Sequence, residues 1–399
     1  MHLKSITVQN FRNIAFAELA FDNSRQFFVG ENAQGKTNLL EAAGFISALR
    51  SFRTSEDRTL IAHGKAEAAI ACEIEHEKFG LTRVTIRLRP GGKEVHCDGE
   101  RIRKLGDYIG RFPTVVFTSQ DLLLVRGSPG GRRRWLDLAL AETDPEYLRA
   151  LQEYHRALAS RNQLLKRGNG GASALSAELD AFEQPLARAA AQLAKRRAAG
   201  VEKLNAHVAA AYEKITAVAE GRAKPPAEPD RIDNQSTPAA QPEASPYPAS
   251  KSPAAAIAYA PSVANGTELD ETGWASQFAS GRERDTLMRT TLSGPHRDDC
   301  ELTVGGRPAR EFASEGQQRG LAISLRLAEA AYLREQTGVN PVLLADDVLG
   351  ELDPQRRRRF WASINSDDSR NQILATGTAP PDAELGSWQM FEVRGGMFS

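Results

Sequence analysis

At 399 residues the chain is long enough for a large buried core and more than one lobe. Its 51 basic residues are balanced by 51 acidic ones, so net charge identifies no partner. Cys72, Cys97 and Cys300 stand far apart without metal-ligand spacing, and an odd count argues against a disulfide framework. Residues 1–10 mix polar and apolar types unlike a signal peptide, and no apolar run approaches the ~20 residues a bilayer crossing takes. A cytoplasmic location without a membrane partner is expected.

Residues 3–29 alternate like a hairpin, with Ile6, Val8, Phe11, Phe16, Leu19 and Phe21 expected on the buried faces. The apolar run Phe27-Phe28-Val29 then enters Gly30-Glu31-Asn32-Ala33-Gln34-Gly35-Lys36-Thr37, a complete phosphate-binding loop. Asn38 and the residues after it read as a helix, and this strand–loop–helix context gives the pattern chemical meaning. Gly30 and Gly35 let the backbone turn tightly, so that successive N–H groups point at phosphate oxygens. The helix N-terminus adds partial positive charge. Lys36 is placed to reach the β and γ phosphates, and Thr37 to hold Mg²⁺ through its hydroxyl. A glycine-rich turn without a nucleotide is the bland alternative.

Residues 69–75, 83–88 and 94–97 read as strands, the last after a Pro90-Gly91-Gly92 turn, and residues 114–117 add a short apolar one. Asp144 is suited to cap, and Pro145 to open, a helix with Leu151, Tyr154, Leu158 and Leu165 on one face. Gly168 to Gly171 breaks it. A second helix spans about residues 173–218, with a kink expected at Pro185. The two read as a paired arm, whose ~40 residues reach only ~60 Å, far short of a chromosome-scale coiled coil. Residues 221–253, rich in Pro, Ala, Ser and Glu, cannot bury enough apolar surface to offset ordering entropy and read as a disordered insertion. Residues 255–260 resume as a strand, followed by a polar helical stretch to about Met288.

Pro341-Val342-Leu343-Leu344-Ala345-Asp346-Asp347 is an apolar strand ending in two carboxylates. Asp346 fits the Mg²⁺-holding acid of P-loop ATPases, and Asp347 a base that polarises the attacking water. A strand stopping at a polar turn is the alternative. Ala313-Ser314-Glu315-Gly316-Gln317-Gln318-Arg319 resembles the signature motif of the ATP-binding-cassette superfamily, with Ala313 and Glu315 departing from its usual form. A serine hydroxyl and a glycine N–H at a helix start form an anion site. The resemblance implies that Ser314, Gly316 and Gln317 complete the ATP pocket of the opposite subunit. Leu349-Gly350-Glu351-Leu352-Asp353 resembles the D-loop at the same seam.

About 300 residues separate Lys36 from Asp346, and residues 372–378 lack the switch histidine of transporter ATPases. Both features favour the SMC/Rad50-like heads. Within these the chain resembles the RecF family of bacterial recombinational repair proteins. The likeness rests on residues 3–13, 30–38, 117–137, 316–319 and 346–353, on Arg50-Ser51-Phe52-Arg53-Thr54, and on Ser293-Gly294-Pro295-His296-Arg297-Asp298-Asp299. It implies an α/β ATPase head with a mixed sheet and a mainly helical second lobe or arm, divided as 1–135, 136–285 and 286–399. It further implies weak, DNA-dependent ATP hydrolysis with Mg²⁺, an ATP-dependent homodimer on duplex or gapped DNA, and RecA loading with RecO and RecR near the nucleoid. Gln120, in Ser119-Gln120-Asp121 where the family more often has Pro-Glu-Asp, stands either as a metal-contacting glutamine or as a surface residue. Arg12 stands either near phosphate or adenine, or as a solvated strand-end charge. Arg132-Arg133-Arg134, Lys195-Arg196-Arg197 and residues 356–359 are candidate DNA contacts. A transporter ATPase subunit and a small-metabolite P-loop kinase are the rival readings.

Overall fold

The opening alternation forms two antiparallel strands, His2–Phe11 and Ile14–Ala20, before Arg25–Val29 leaves for a second sheet. Those residues belong to a computed structural model that describes residues 1–167, 172–216, 254–348, 354–364, 371–381 and 386–399. The glycine break at 168–171, the insertion expected at 221–253 and the D-loop segment 349–353 lie outside the described residues. Pairing of Val8 with Ala17 and Ile6 with Leu19 puts Ile6, Val8 and Leu19 inside. Phe16 pairs with Gln9 on the other face and is 56% exposed, against the sequence expectation, because a one-residue offset sends a side chain to the opposite face. The first sheet continues antiparallel through Ala68–His76, Gly80–Arg89, Gly92–Cys97 and Glu100–Arg101.

The second sheet carries the chemistry. Its order is Met397–Phe398, Gln389–Arg394, Arg25–Val29, Ile373–Gly377, Val342–Asp346, Thr114–Thr118, parallel throughout except for the first pair. Ile373–Gly377 is buried along its whole length and Val342–Asp346 along all but its last residue, as expected of parallel strands covered on both faces. One cover is the helix Lys36–Ala48, which packs on Val342–Asp346 and shares an apolar core with the antiparallel sheet. A second core, with Phe27, Phe117, Phe360 and Trp361, lies against the same strands. A small antiparallel sheet joins Ala255–Ala260, Asp299–Val304 and Arg307–Pro308.

Asp144 caps the helix Pro145–Arg167, its carboxylate accepting from the amides of Glu146 at 2.9 Å and Tyr147 at 3.1 Å. The following helix, Ala172–Thr216, runs uninterrupted through Pro185 and spans 45 residues, or ~68 Å. It packs on Pro145–Arg167, on Glu271–Met288, on Glu315–Thr337 and on Ala255–Ala260. The expected arm is therefore a spine packed into the head and the helical lobe. Fully buried Arg161 pins this lobe, donating to Glu183 at 2.9 Å, Asp285 at 2.7 Å and the Thr291 hydroxyl at 2.7 Å. Three carboxylate and hydroxyl partners offset the desolvation of a buried guanidinium. The three cysteines are buried and free. No helix among the described residues is long and apolar enough to cross a membrane.

Candidate nucleotide site

Residues 30–35 turn from the Arg25–Val29 strand into the Lys36–Ala48 helix. Two positions admit only glycine. A β-carbon on Gly30 would sit 2.4 Å from the Val393 carbonyl oxygen, and Gly35 holds φ at +114°. Ala33 also takes a left-handed φ of 65°. Glu31, Asn32 and Ala33 are exposed, while Gly35 and Lys36 are buried. A turn 361 residues away in sequence latches the loop: the Gly395 amide donates to Gln34 Oε1 at 2.6 Å, and the Gly396 amide to the Gln34 carbonyl at 2.7 Å.

Lys36 Nζ donates back to the carbonyls of Gly30 at 2.5 Å and Glu31 at 2.7 Å. Burial lowers its pKa, against the pull of Asp347 and Asp346. Thr37 Oγ1 donates to Asp346 Oδ1 at 2.8 Å, so the two residues expected to hold Mg²⁺ already touch. A hydroxyl beside one carboxylate is a hard-oxygen donor set of the kind Mg²⁺ takes. Burial raises the Asp346 pKa, while the Thr37 and Thr376 hydroxyls and the Arg53 charge draw it down.

Thr376 was not singled out by sequence, yet it bonds both acidic residues, the carboxylate of Asp346 and the backbone amide of Asp347. Parallel pairing sets it opposite Asp346. Its hydroxyl donates to Asp346 Oδ1 at 2.9 Å and accepts from the Asp347 amide at 3.0 Å. Asp347 sits at φ 51°, a left-handed conformation that a non-glycine residue keeps only when its surroundings hold it. Thr376→Val keeps the shape and removes both bonds. ATP turnover should fall about 30-fold, for a loss of ~2 kcal/mol, with nucleotide Kd within a few-fold of wild type. Steady-state turnover alongside a binding titration checks this, and unchanged turnover would remove Thr376 from the site.

A buried carboxylate supports the loop from behind. Glu41 is inaccessible to solvent and accepts from Arg12 Nε at 2.9 Å, Arg12 Nη2 at 2.8 Å, Arg53 Nη1 at 3.2 Å and the Ser51 hydroxyl. Arg53 also donates to Asn38 Oδ1 at 2.8 Å, and Asn38 Nδ2 to Asn13 Oδ1 at 2.7 Å. Arg12 is thus no free strand-end charge. Sequence spacing gives no signal for this hub, because its members meet only once the first sheet packs on the helix.

Gln120 is exposed in the short turn Ser119–Asp121, two residues beyond Thr118, which pairs with Asp346. It therefore stands at the same end of the sheet as the carboxylates. Ser314 caps the helix Glu315–Thr337: its Oγ accepts from the Gln317 amide at 3.3 Å, and its own amide donates to Gln317 Oε1 at 2.8 Å. Gln318, part of the signature motif but given no role by sequence, fastens the turn before this helix by donating to the carbonyls of Ala309, Arg310 and Ala313 at 3.0–3.1 Å. Ser314 and Gln317 face solvent, and among the described residues their hydrogen bonds close within the helix start. The basic clusters are partly spent inside the fold. Arg132 pairs with Asp299 at 2.7 Å, Arg196 with Asp144, and Arg197 with Asp137 at 2.9 Å, while Arg133 donates to the Asp298 carbonyl at 2.5 Å.

The family model described as RecF/RecN/SMC N terminal domain matches residues 2–386. A DNA replication and repair protein RecF of Synechococcus is 33% identical over 99% of this chain and 97% of its own. The chain belongs to the RecF family. A RecF of Anaeromyxobacter is 35% identical over 100% of this chain and 99% of its own. Among solved structures, the recombination mediator protein RecF with ATP, of the RecFOR pathway, superposes with a TM-score of 0.83 at 26% identity, covering 100% of this chain and 97% of that one. An Smc head domain of Pyrococcus furiosus shares the fold at a TM-score of 0.50 and 15% identity, with 100% and 95% covered. This RecF-family chain has the ABC-type ATPase head, and the comparisons give the transporter reading no support.

Proposed function

We propose that two copies of this RecF-family chain close on two ATP molecules and, so closed, grip DNA for recombinational repair and replication. One observation carries the reading. Lys36, Thr37 and Asp346 are gathered in one chain, whereas Ser314 and Gln317 form a solvent-facing helix cap whose bonds, among the described residues, stay within the helix start. The cap uses the Ser314 and Gln317 amides, and the other amides of the helix's first turn make that exposed start an anion site for a ligand from outside. Each pocket uses residues 30–38 and Asp346 of one chain, and Ser314, Gly316 and Gln317 of the other. Thr37 and Asp346, with Gln120 at the same end of the sheet, are the residues to hold Mg²⁺, which supplies charge neutralisation at the phosphates. Asp347 orients and polarises the attacking water. Hydrolysis is weak because the site is whole only in the dimer, and DNA stimulates it by favouring the closed pair.

Loss of the γ-phosphate removes contacts across the seam and shifts the population towards separate chains. DNA is held through phosphate contacts from basic residues on the head and the helical lobe, independent of sequence and steeply salt-sensitive. By family, the DNA is duplex near a single-strand gap, the partners are RecO and RecR, the outcome is RecA loading, and the location is the cytoplasm at the nucleoid. The working division is residues 1–135 and 286–399 for the ATPase lobe and 136–285 for the helical one.

Light scattering after size exclusion, with and without ATP and gapped duplex DNA, tests the reading. A monomer that becomes a dimer with ATP, and whose DNA complex weakens as salt rises, is expected. A monomer that encloses the nucleotide alone, as a metabolite kinase does, would end the proposal.

A further inference from the structure

A second cavity lies at the far end of the phosphate-loop helix. That helix begins at the loop and ends before Leu49 and Arg50, and its 13 residues hold the two ends ~20 Å apart. Between this end, Lys93 and the helices Pro129–Thr143 and Pro145–Arg167 lies a space of about 620 Å³. Small-ligand pockets measure roughly 300–1,000 Å³. Its apolar lining includes Leu105, Ile109, Leu138, Leu148 and Leu151. Gln152 and His155, three positions apart on one helix, add polar groups to that wall. Arg50 and Arg134 supply positive charge.

These two arginines are what two sequence motifs leave over once the fold has used the rest. Arg53 goes to Glu41 and Asn38, Arg132 to Asp299, and Arg133 to the Asp298 carbonyl. Arg50 and Arg134 have no hydrogen-bond or ion-pair partner among the described residues. They repel each other: burial first, then the Arg134 charge, pushes the Arg50 guanidinium below its usual range, with Asp57 and Asp137 offsetting in part. The acids on the cavity wall compensate them only in part. Asp137 is paired with Arg197 and accepts from the Tyr147 hydroxyl. Glu142 accepts from Ser47 at 3.0 Å, and its other oxygen is buried without a partner. Burial pushes its carboxyl up to about 8, so it is mostly uncharged at neutral pH.

We propose that this cavity binds a nucleoside monophosphate, separate from the ATP at the phosphate loop, with the phosphate between Arg50 and Arg134 and the base on the leucine-lined wall. Guanidinium forks match phosphate oxygens two at a time, which relieves the repulsion between the two arginines. The Gln152 amide offers both a donor and an acceptor to a base edge. Arg50 follows the phosphate-loop helix, and Arg134 and Gln152 belong to the two helices of the opposite wall, so the ligand ties these elements together.

Equilibrium dialysis of the full chain with radiolabelled AMP tests the site. In Lys36→Met, where the phosphate loop is disabled, one AMP per chain is expected to remain bound. In Lys36→Met carrying Arg50→Ala and Arg134→Ala, affinity should fall about tenfold or more, with the unfolding midpoint unchanged or raised because a like-charge contact is gone. Leu151→Trp, which narrows the apolar wall without touching either arginine, should weaken binding as well. The proposal is overturned if Lys36→Met retains no AMP at millimolar concentration, or if the arginine variants bind as tightly as their parent. Neither result bears on ATP-driven pairing, which light scattering reads separately.

Discussion

Lys36→Met is expected to abolish ATP binding while leaving the fold intact. The ammonium lies under the loop, bonded to the Gly30 and Glu31 carbonyls at 2.5 and 2.7 Å. A triphosphate takes over those bonds with charged oxygens, at closer to twice the strength of a neutral contact. The Asp346 and Asp347 carboxylates oppose the lowering of its pKa by burial and favour the charged form. Methionine keeps the stem and loses the charge. Removing charge-assisted contacts to two phosphates costs roughly 3–4 kcal/mol, or roughly a hundred- to a thousandfold in Kd. Calorimetric titration with ATP reads this directly. A Kd within tenfold of wild type would show that the loop does not hold the triphosphate.

Ser314→Arg should separate ATP binding from pairing. The Ser314 hydroxyl caps its own helix and, among the described residues, makes no hydrogen bond to the phosphate loop of the same chain. The local cost is that of one N-cap, ~1 kcal/mol, and the amide bond to Gln317 survives. A long cation on an exposed helix start blocks close approach by a second chain. ATP Kd should stay within about twofold, while the ATP-dependent dimer is lost, a coupling of more than ~3 kcal/mol at micromolar protein. If ATP dimerises the variant as it does wild type, the signature helix does not face the partner's nucleotide.

The nucleotide site was readable where its chemistry is contiguous. Residues 30–37 and the acids after Val342–Asp346 carry their meaning in local order, and Thr37 and Asp346 meet at 2.8 Å as that order implies. What escaped are residues whose role arises from pairing across the chain. Thr376 matters because parallel register sets it against Asp346, and Glu41 because packing brings Arg12 and Arg53 to one carboxylate. The helical lobe shows the same limit. Period and caps located Pro145–Arg167 and Ala172–Thr216, but the second helix also packs on Glu315–Thr337, which no local pattern announces. The arginine runs named as candidate DNA contacts divide by facing: Arg132 and Arg197 turn inward to acids, while Arg134 stays exposed.

The order of the parallel sheet bears on how the protein is made. The strand leading into the phosphate loop, Arg25–Val29, lies between Ile373–Gly377 and Gln389–Arg394. Both neighbours leave the ribosome more than 340 residues after it. At ~5–20 residues per second, a nascent chain therefore carries this strand with both edges bare for roughly 20–70 s. Bare apolar edges invite intermolecular pairing, so cellular yield should depend on chaperone capacity during translation more than on the stability of the finished fold.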